Sequence, residues 1–121
     1  NPEFTMLEVY VAYKDYEWMM NFVEDMISSL CLSVFGTTEF KFENETINFK
    51  APWNRVSMTN SIKEKTGLEV ITCTDDELIA VAKKYHVELT GKESRGKIID
   101  LLFEILFQSS LIQPTFVIDY P

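Results

Sequence analysis

Residues 3–36 read EFTMLEVYVAYKDYEWMMNFVEDMISSLCLSVFG and contain two successive periodicities that indicate the fold class. In residues 3–13 the side chains fall into two alternating sets, which predicts a β-strand. One face of this strand is aliphatic, and the other carries Glu8 and Tyr10 side by side. Over about residues 16–33 the apolar side chains recur every three to four positions. This spacing predicts an amphipathic helix directly after the strand.

Cap and turn residues divide the rest of the chain into short elements. Asp15 is suited to cap the first helix and Gly36 to end it. The elements predicted beyond it are a hairpin over 38–50 with its turn at 43–45, an extended segment over 51–58, a short helix that Thr59 caps and that stops at Gly67, a helix begun by a Thr74/Glu77 capping box, a helix begun at Ser94, and a strand over 113–120. This order lacks the helix-linked strand repeats of parallel sheets, so it predicts an α+β fold with mostly antiparallel pairing. Trp18, the methionines and the apolar stripe of the last helix are assigned to the core.

The composition bounds the size and the class of the protein. The 121 residues are 46% hydrophobic and 25% charged, with a net charge of −8, which is typical of one small acidic globular domain. The acidic balance excludes a basic face for nucleic acid and disfavours a membrane-surface role. Charged residues interrupt the longest apolar run, and no secretory signal is recognised. The isolated Cys31 and Cys73 are predicted to be reduced core thiols of a cytoplasmic protein.

Three short motifs are better explained by local structure than by chemistry. Residues 91–97 match seven positions of a phosphate-binding loop, but Ile98 stands where a Mg²⁺-binding Ser or Thr belongs, which predicts an ordinary loop and helix start. Residues 44–46 match a glycosylation acceptor and are interpreted as a turn. The lone His86 is interpreted as a helix-end or surface residue. The Glu8/Tyr10 face is more suggestive, because a carboxylate beside a phenol suits an ammonium group, although exposed strand Glu and Tyr are common.

Three spaced segments carry a family resemblance. Residues 1–16 resemble the second half of motif 2 of class II lysyl-tRNA synthetases, N-P-E-F-T, two residues, then E-x-Y-x-A-Y-x-D-Y. Residues 51–58 resemble the family segment P-[FW]-x-R-[IV]-S-M. Residues 113–121 resemble the family strand x-P-T-F-x-x-x-Y-P. The likeness covers the whole chain, with residues 67–112 matching as the helical insertion between motifs 2 and 3.

The resemblance implies a role for individual residues. It divides the chain into part of a catalytic domain with an antiparallel sheet (residues 1–66), a helical insertion (67–112) and a returning catalytic-domain strand (113–121). Phe4 is expected to stack on the adenine of ATP, and Glu8 and Tyr10 to line the lysine pocket. No nucleophilic or metal-binding residue is expected. Five further residues of the matching segments are expected to be structural: Pro52, Trp53, Arg55, Pro114 and Phe116.

The resemblance also implies the reaction of the parent enzyme. That enzyme, expected to be a homodimer, would join lysine and ATP into lysyl-adenylate with Mg²⁺ and transfer the lysyl group to tRNA(Lys), working by positioning and charge stabilisation. The opening Asn-Pro-Glu-Phe fits the family and is interpreted as native. Because motif 1, the motif 2 arginine, motif 3 and the anticodon-binding barrel fall outside these residues in the family, the 121-residue chain alone is expected to be inactive.

Two alternative functions stay open. One is a synthetase-like paralogue that lysylates elongation factor P, against which residues 10–16 and the long insertion argue. The other is a non-catalytic module that binds a protein through the Glu8/Tyr10 face or the helices. A fragment cut through a sheet leaves strand edges unpaired, so self-association or domain swapping through residues 3–13 or 115–120 is expected.

Overall fold

The structure, a computed structural model, describes residues 2–121. Cap residues and apolar spacing set most of the element boundaries. In chain order the elements are helix α1 (Tyr16–Phe35), strands β1 (Glu39–Phe42), β2 (Glu45–Asn48) and β3 (Asn54–Ser57), helices α2 (Met58–Thr66), α3 (Asp75–Lys84) and α4 (Arg95–Phe107), a 3₁₀ turn (Gln108–Ser110), and strand β4 (Thr115–Ile118). The mixed helix-and-strand composition confirms the α+β class.

Residues 3–13, called the N-terminal segment below, form no helix or strand in this chain. Its side chains are largely exposed: Phe4 at 79%, Leu7 at 68% and Tyr10 at 87%. The predicted strand is therefore wrong for the single chain. Alternation gives a segment two distinct faces, but a strand also needs a neighbouring strand to satisfy its N–H and C=O groups.

Two separate strand pairs form within residues 2–121. β1 and β2 make the predicted antiparallel hairpin, with Phe40 opposite Ile47 and a two-residue turn in which Glu43 has a φ of 53°. β3 and β4 pair in parallel, with Val56 opposite Val117. The antiparallel expectation is wrong for this pair, because α2, α3 and α4 carry the chain back so that β4 runs in the same direction as β3.

The hydrophobic core lies among α2, α3 and α4 rather than under α1. The only buried side chain of α1 is Glu24. Trp18 stacks on Phe22 at a centroid distance of 5.4 Å while both remain partly exposed, so assigning Trp18 to the core was wrong. Among the methionines the core assignment is confirmed for Met58 and wrong for the others, which are partly or fully exposed. The stripe of α4 is confirmed apart from Ile105. The buried core residues are Met58, Ile62, Val70, Leu78, Ala82, Val87, Ile98, Ile99, Leu102 and Phe103.

Side-chain caps fix most of the helix starts. The Asp15 carboxylate accepts from the Trp18 N–H of α1, and Thr74 and Glu77 form the reciprocal capping box of α3. Ser94 caps α4 as predicted. The start of α2 differs, because Ser57 and not Thr59 accepts the free helix N–H. Within residues 2–121, none of these helices has both the length and the apolar content required to cross a bilayer.

Candidate functional site

Glu8 and Tyr10 lie together on the exposed N-terminal segment. The Tyr10 hydroxyl donates to Glu8 Oε2 at 2.9 Å, and both residues are exposed. Glu8 forms no ion pair with any cationic side chain of residues 2–121, so its charge is available to a ligand. An ammonium group has three donors, and a carboxylate retains free lone pairs after accepting one phenol. The pair therefore has the chemistry of an amine receptor.

Phe4 is exposed and makes no ring-to-ring contact with Tyr10. Its ring is 79% exposed, and no ring-to-ring contact of Phe4 occurs in the part of the chain that the structure describes. The structure thus brings two of the three predicted site residues into contact and leaves the third as a free aromatic surface. A planar ring with an open face can stack on another flat aromatic group.

A buried carboxylate joins α1 to the strand below it. Glu24 is only 4% exposed and receives the Trp53 backbone N–H at 2.8 Å. The Arg55 guanidinium donates hydrogen bonds to both carboxylate oxygens of Glu24, at 2.7 and 3.1 Å, and to Asn21 Oδ1 at 2.8 Å. The hydrogen bond from Arg55 holds the pKa of Glu24 below its usual value, against the opposing effect of burial. This ion pair therefore anchors α1, the helix that follows the N-terminal segment, to β3.

Aromatic stacking extends the same support to β4. The rings of Trp53 and Phe116 stack with centroids 5.3 Å apart, and the Arg55 guanidinium lies 5.4 Å from the Phe116 centroid. Trp53 also donates its indole N–H to the Phe49 carbonyl at 2.9 Å. Trp53, Arg55 and Phe116 therefore hold the scaffold together, which agrees with their predicted structural role.

An open groove of about 480 Å³ runs between α1 and β4 and is called the α1–β4 groove below. Met19, Met20 and Val23 supply its helix side, and residues 116–120 supply its strand side. Tyr16, where the N-terminal segment joins α1, also lines the groove. The carboxyl end of the N-terminal segment thus lies three residues before a groove residue, Tyr16.

The loop that resembles a phosphate-binding loop is occupied by a carboxylate of its own. Glu93 accepts from the Thr90 hydroxyl at 2.6 Å and from the backbone N–H groups of Thr90 and Gly91 at 2.8 and 3.0 Å. These hydrogen bonds lower the pKa of Glu93 to about 2. The first backbone donors of this loop are therefore bonded to its own carboxylate, and the predicted helix start at Ser94 is confirmed.

His86 ends α3, as predicted for a lone histidine. It has a φ of 64°, its N–H donates to the Lys83 carbonyl at 3.0 Å, and the Val87 N–H donates to the Ala82 carbonyl at 2.9 Å. This pair of bonds is a Schellman motif with His86 in the left-handed position that glycine usually takes. His86 therefore ends the helix through its backbone conformation.

Two further observations concern metals and thiols. Within residues 2–121 no group of three or more His, Cys, Asp or Glu side chains is arranged to hold a metal ion. Cys31 and Cys73 are both free and half-buried, so the predicted free thiols are confirmed while full burial is not. Cys73 packs at the edge of the core and accepts a hydrogen bond from Arg95 at 3.2 Å.

All 121 residues match one protein family, described as tRNA synthetases class II (D, K and N). The chain belongs to the class II tRNA synthetases. It is 46% identical over its full length to the lysine–tRNA ligase of Azobacteroides pseudotrichonymphae, 47% identical to that of Porphyromonas gingivalis and 43% identical to that of Chloroflexus aurantiacus. It spans 24%, 21% and 25% of the length of these three relatives.

The residue that the sequence reasoning missed in this synthetase chain is Glu24. One feature of the sequence could have indicated it: Glu24 is an acidic residue within the apolar stripe of α1, and a charged residue in such a place is seldom buried unless it is paired. The cationic partner, Arg55, lies 31 positions away, and spacing within one helix cannot reveal such a contact. The family membership does not itself test the roles of Phe4, Glu8 and Tyr10, and these stay predictions.

Proposed function

We propose that this chain forms part of the lysine-activating catalytic domain of a lysine–tRNA ligase. The observation that carries the proposal is the match of the whole chain at 43–47% identity to relatives with that name. The complete enzyme would join lysine to ATP and pass the lysyl group to tRNA(Lys). It would act as a homodimer in the cytoplasm, and residues 1–66, 67–112 and 113–121 would be its catalytic, inserted and returning segments.

Lysine recognition is assigned to Glu8 and Tyr10. The Glu8 carboxylate would pair with a substrate ammonium group, and the Tyr10 hydroxyl, 2.9 Å from Glu8 Oε2, would hold the carboxylate in place or accept from the ammonium itself. Ion-paired hydrogen bonds of this type are short and about twice as strong as neutral ones. A neutral side chain of the same length would leave the Glu8 charge unpaired, so the pair would reject it.

ATP binding is assigned in part to Phe4. Its exposed ring suits stacking on the adenine base, and stacking of this kind contributes modestly beyond the buried area. The Mg²⁺ that would accompany ATP in the complete enzyme is assigned to no residue of this chain. With a net charge of −8, the chain is also a poor candidate for the main tRNA surface, which needs clustered cations.

The chain alone is proposed to lack activity. Phe4, Glu8 and Tyr10 lie on an exposed segment without a surrounding cleft, and synthetase catalysis by positioning requires both substrates to be held rigidly against each other. Lysine-dependent ATP–pyrophosphate exchange by the 121-residue chain should therefore equal the background. Exchange above background would overturn this part of the proposal.

The amine-receptor assignment is tested by titrating the ¹⁵N-labelled chain with lysine and with norleucine, which has the same carbon chain without the terminal ammonium. Lysine should shift the amide signals of residues 7–11 with weak affinity, and norleucine should not. Glu8→Gln should abolish the lysine shifts, whereas Glu3→Gln, which changes another exposed glutamate of the same segment, should preserve them. Equal shifts with lysine and norleucine, or unchanged lysine shifts in Glu8→Gln, would contradict the assignment.

A further inference from the structure

Tyr13 has a backbone conformation that its residue type rarely adopts. Its φ is 59°, in the left-handed region that glycine adopts freely and that asparagine and aspartate tolerate. Three other non-glycine residues of the described chain have a positive φ. Glu43 forms the turn of the hairpin, His86 ends α3, and Asp119, which lines the α1–β4 groove, is of a tolerant type. Tyr13 forms no hairpin turn within residues 2–121 and precedes a helix instead of ending one, so its conformation has another cause.

The ring of Tyr13 does not hold the backbone in this conformation. The side chain is fully exposed and makes no ring-to-ring contact within residues 2–121. Glycine or asparagine would make the same turn at a lower cost in free energy. The left-handed turn therefore follows from the path that the backbone takes between the N-terminal segment and α1. Strained backbone of this kind is often found where a functional group has to be held in one orientation.

The turn joins a fixed helix to the segment that carries the Glu8/Tyr10 pair. On the helix side, the carboxylate of Asp15 caps α1, and an ion pair from Glu24 anchors the helix to β3. On the segment side, Tyr10 and Glu8 lie three and five residues before Tyr13. The φ of Tyr13 therefore sets the direction in which the pair projects from the helix.

A small change of angle at this turn is a large displacement at the pair. Three extended residues span about 10 Å, so a swing of about 10° at Tyr13 would move the Tyr10 Cα by roughly 2 Å. A misplacement of about 1 Å can lower the rate of a reaction that depends on positioning about a hundredfold. The turn thus lies where the orientation of the Glu8/Tyr10 pair is most sensitive to the backbone.

We propose that Tyr13 is a positioning residue for lysine, whose left-handed turn orients the Glu8/Tyr10 pair relative to α1. This role rests on the proposed function. Residue 13 would exchange between a left-handed and an extended conformation, and only the first would place the pair to receive lysine. A substitution that disfavours the left-handed conformation lowers the fraction of competent enzyme, and the apparent affinity for lysine falls by that fraction. Saturating lysine selects the competent conformation, so the KM rises while kcat is kept.

The test uses a chimera in which the 121 residues replace the matching part of the Porphyromonas gingivalis lysine–tRNA ligase, to which they are 47% identical. Tyr13→Asn removes the ring but tolerates a positive φ, whereas Tyr13→Val introduces a β-branched side chain that disfavours it. In lysine-dependent ATP–pyrophosphate exchange, Tyr13→Val should raise the KM for lysine about tenfold and change kcat by less than about twofold. Tyr13→Asn should change the KM by less than about threefold.

Each other result would overturn the proposal. An unchanged KM for lysine in Tyr13→Val would show that the turn does not orient the pair, and an equal rise in Tyr13→Asn would show that the ring acts and not the turn. A lower kcat at unchanged KM would indicate loss of folded enzyme and not of positioning. These results in an active chimera would overturn the positioning role alone, whereas a chimera without lysine-dependent exchange would overturn the proposed function with it.

NMR of the 121-residue chain tests the turn itself. Residue 13 should show the strong intraresidue HN–Hα NOE of a positive φ in the wild-type chain and in Tyr13→Asn, and a weaker one in Tyr13→Val. A weak NOE in the wild-type chain would overturn the proposal whatever the chimera shows.

Discussion

Replacing Glu24 by Gln should destabilise the chain more than neutralising the acid of any of the three exposed ion pairs. The substitution keeps the shape of the side chain but removes the charge that faces Arg55. Glu24 Oε2 accepts both the Trp53 N–H and the 2.7 Å hydrogen bond from Arg55, so a glutamine oxygen in that place keeps both as neutral hydrogen bonds. The glutamine NH₂ group then replaces Oε1, which loses the 3.1 Å hydrogen bond and sets a donor against the guanidinium.

The size of the effect follows from the burial of the two partners. Breaking a fully buried ion pair costs about 3–5 kcal/mol, because one charge is left without compensation. Here the Glu24 side chain is 5% exposed but that of Arg55 is 26% exposed, so water can partly solvate the freed guanidinium. We therefore expect a loss of about 2–3 kcal/mol in the free energy of unfolding.

Urea denaturation at pH 7, followed by circular dichroism, measures this loss. Asp100→Asn is the matched control, since it removes the acid of an exposed pair with Lys97 at 2.9 Å and should leave the unfolding midpoint unchanged. A Glu24→Gln midpoint that coincides with the Asp100→Asn midpoint would refute the reasoning that this ion pair anchors α1 to β3.

The same pair predicts a pH dependence. Arg55 holds the pKa of Glu24 below its ordinary 4.5 in the folded chain. A lowered folded-state pKa means that the stabilisation is complete above pH 4.5 and is lost as the pH falls through the folded-state value. The stability difference between wild type and Glu24→Gln should therefore shrink below pH 4.5. A difference that stays constant down to pH 3 would show that the charge is not responsible.

Three further predictions concern the loops and helix ends. His86→Gly should raise the free energy of unfolding by about 1 kcal/mol in thermal melts, because glycine adopts the left-handed conformation without strain; a loss would contradict the Schellman assignment. Glu93→Gln should remove the part of the acid destabilisation that appears between pH 4.5 and about 2, and an unchanged acid profile would count against the loop hydrogen bonds. Gln113→Ala should cost about 1 kcal/mol, since Gln113 bonds to the β2 backbone at Thr46 and Asn48; equal urea midpoints would show the contact to be unimportant.

Signals within a few residues of each other predicted most of the helices and the hairpin. Asp15, Thr74 and Ser94 satisfy helix N–H groups three positions ahead, and each cap is found in the structure. The exception is the cap of α2, which was predicted at Thr59 and lies at Ser57. Both residues carry a suitable hydroxyl, but the pairing of β3 with β4 extends to Ser57, so the helix starts directly after the strand.

Features that depend on distant parts of the chain were not predictable in this way. The alternation in residues 3–13 describes a segment fit for a sheet but cannot supply the neighbouring strand. The parallel direction of β4 is set by three intervening helices. Glu24 and Arg55 meet only because α1 folds back over β3. For the site itself, spacing brought Glu8 and Tyr10 together correctly, whereas nothing local fixed the position of Phe4.

The most direct test of the central claim, that these residues recognise lysine, is a chimera. The 121 residues would replace the matching stretch of the Porphyromonas gingivalis lysine–tRNA ligase, to which they are 47% identical. We expect lysine-dependent ATP–pyrophosphate exchange and no exchange with aspartate or asparagine. In the complete domain the bound lysine would cover the Glu8 carboxylate, and removing one partner of such a hydrogen-bonded charge pair costs about 2–5 kcal/mol. Glu8→Gln should therefore lose about a hundredfold in kcat/KM for lysine, or about 2.7 kcal/mol. Exchange driven by aspartate or asparagine, or full activity in Glu8→Gln, would contradict the account.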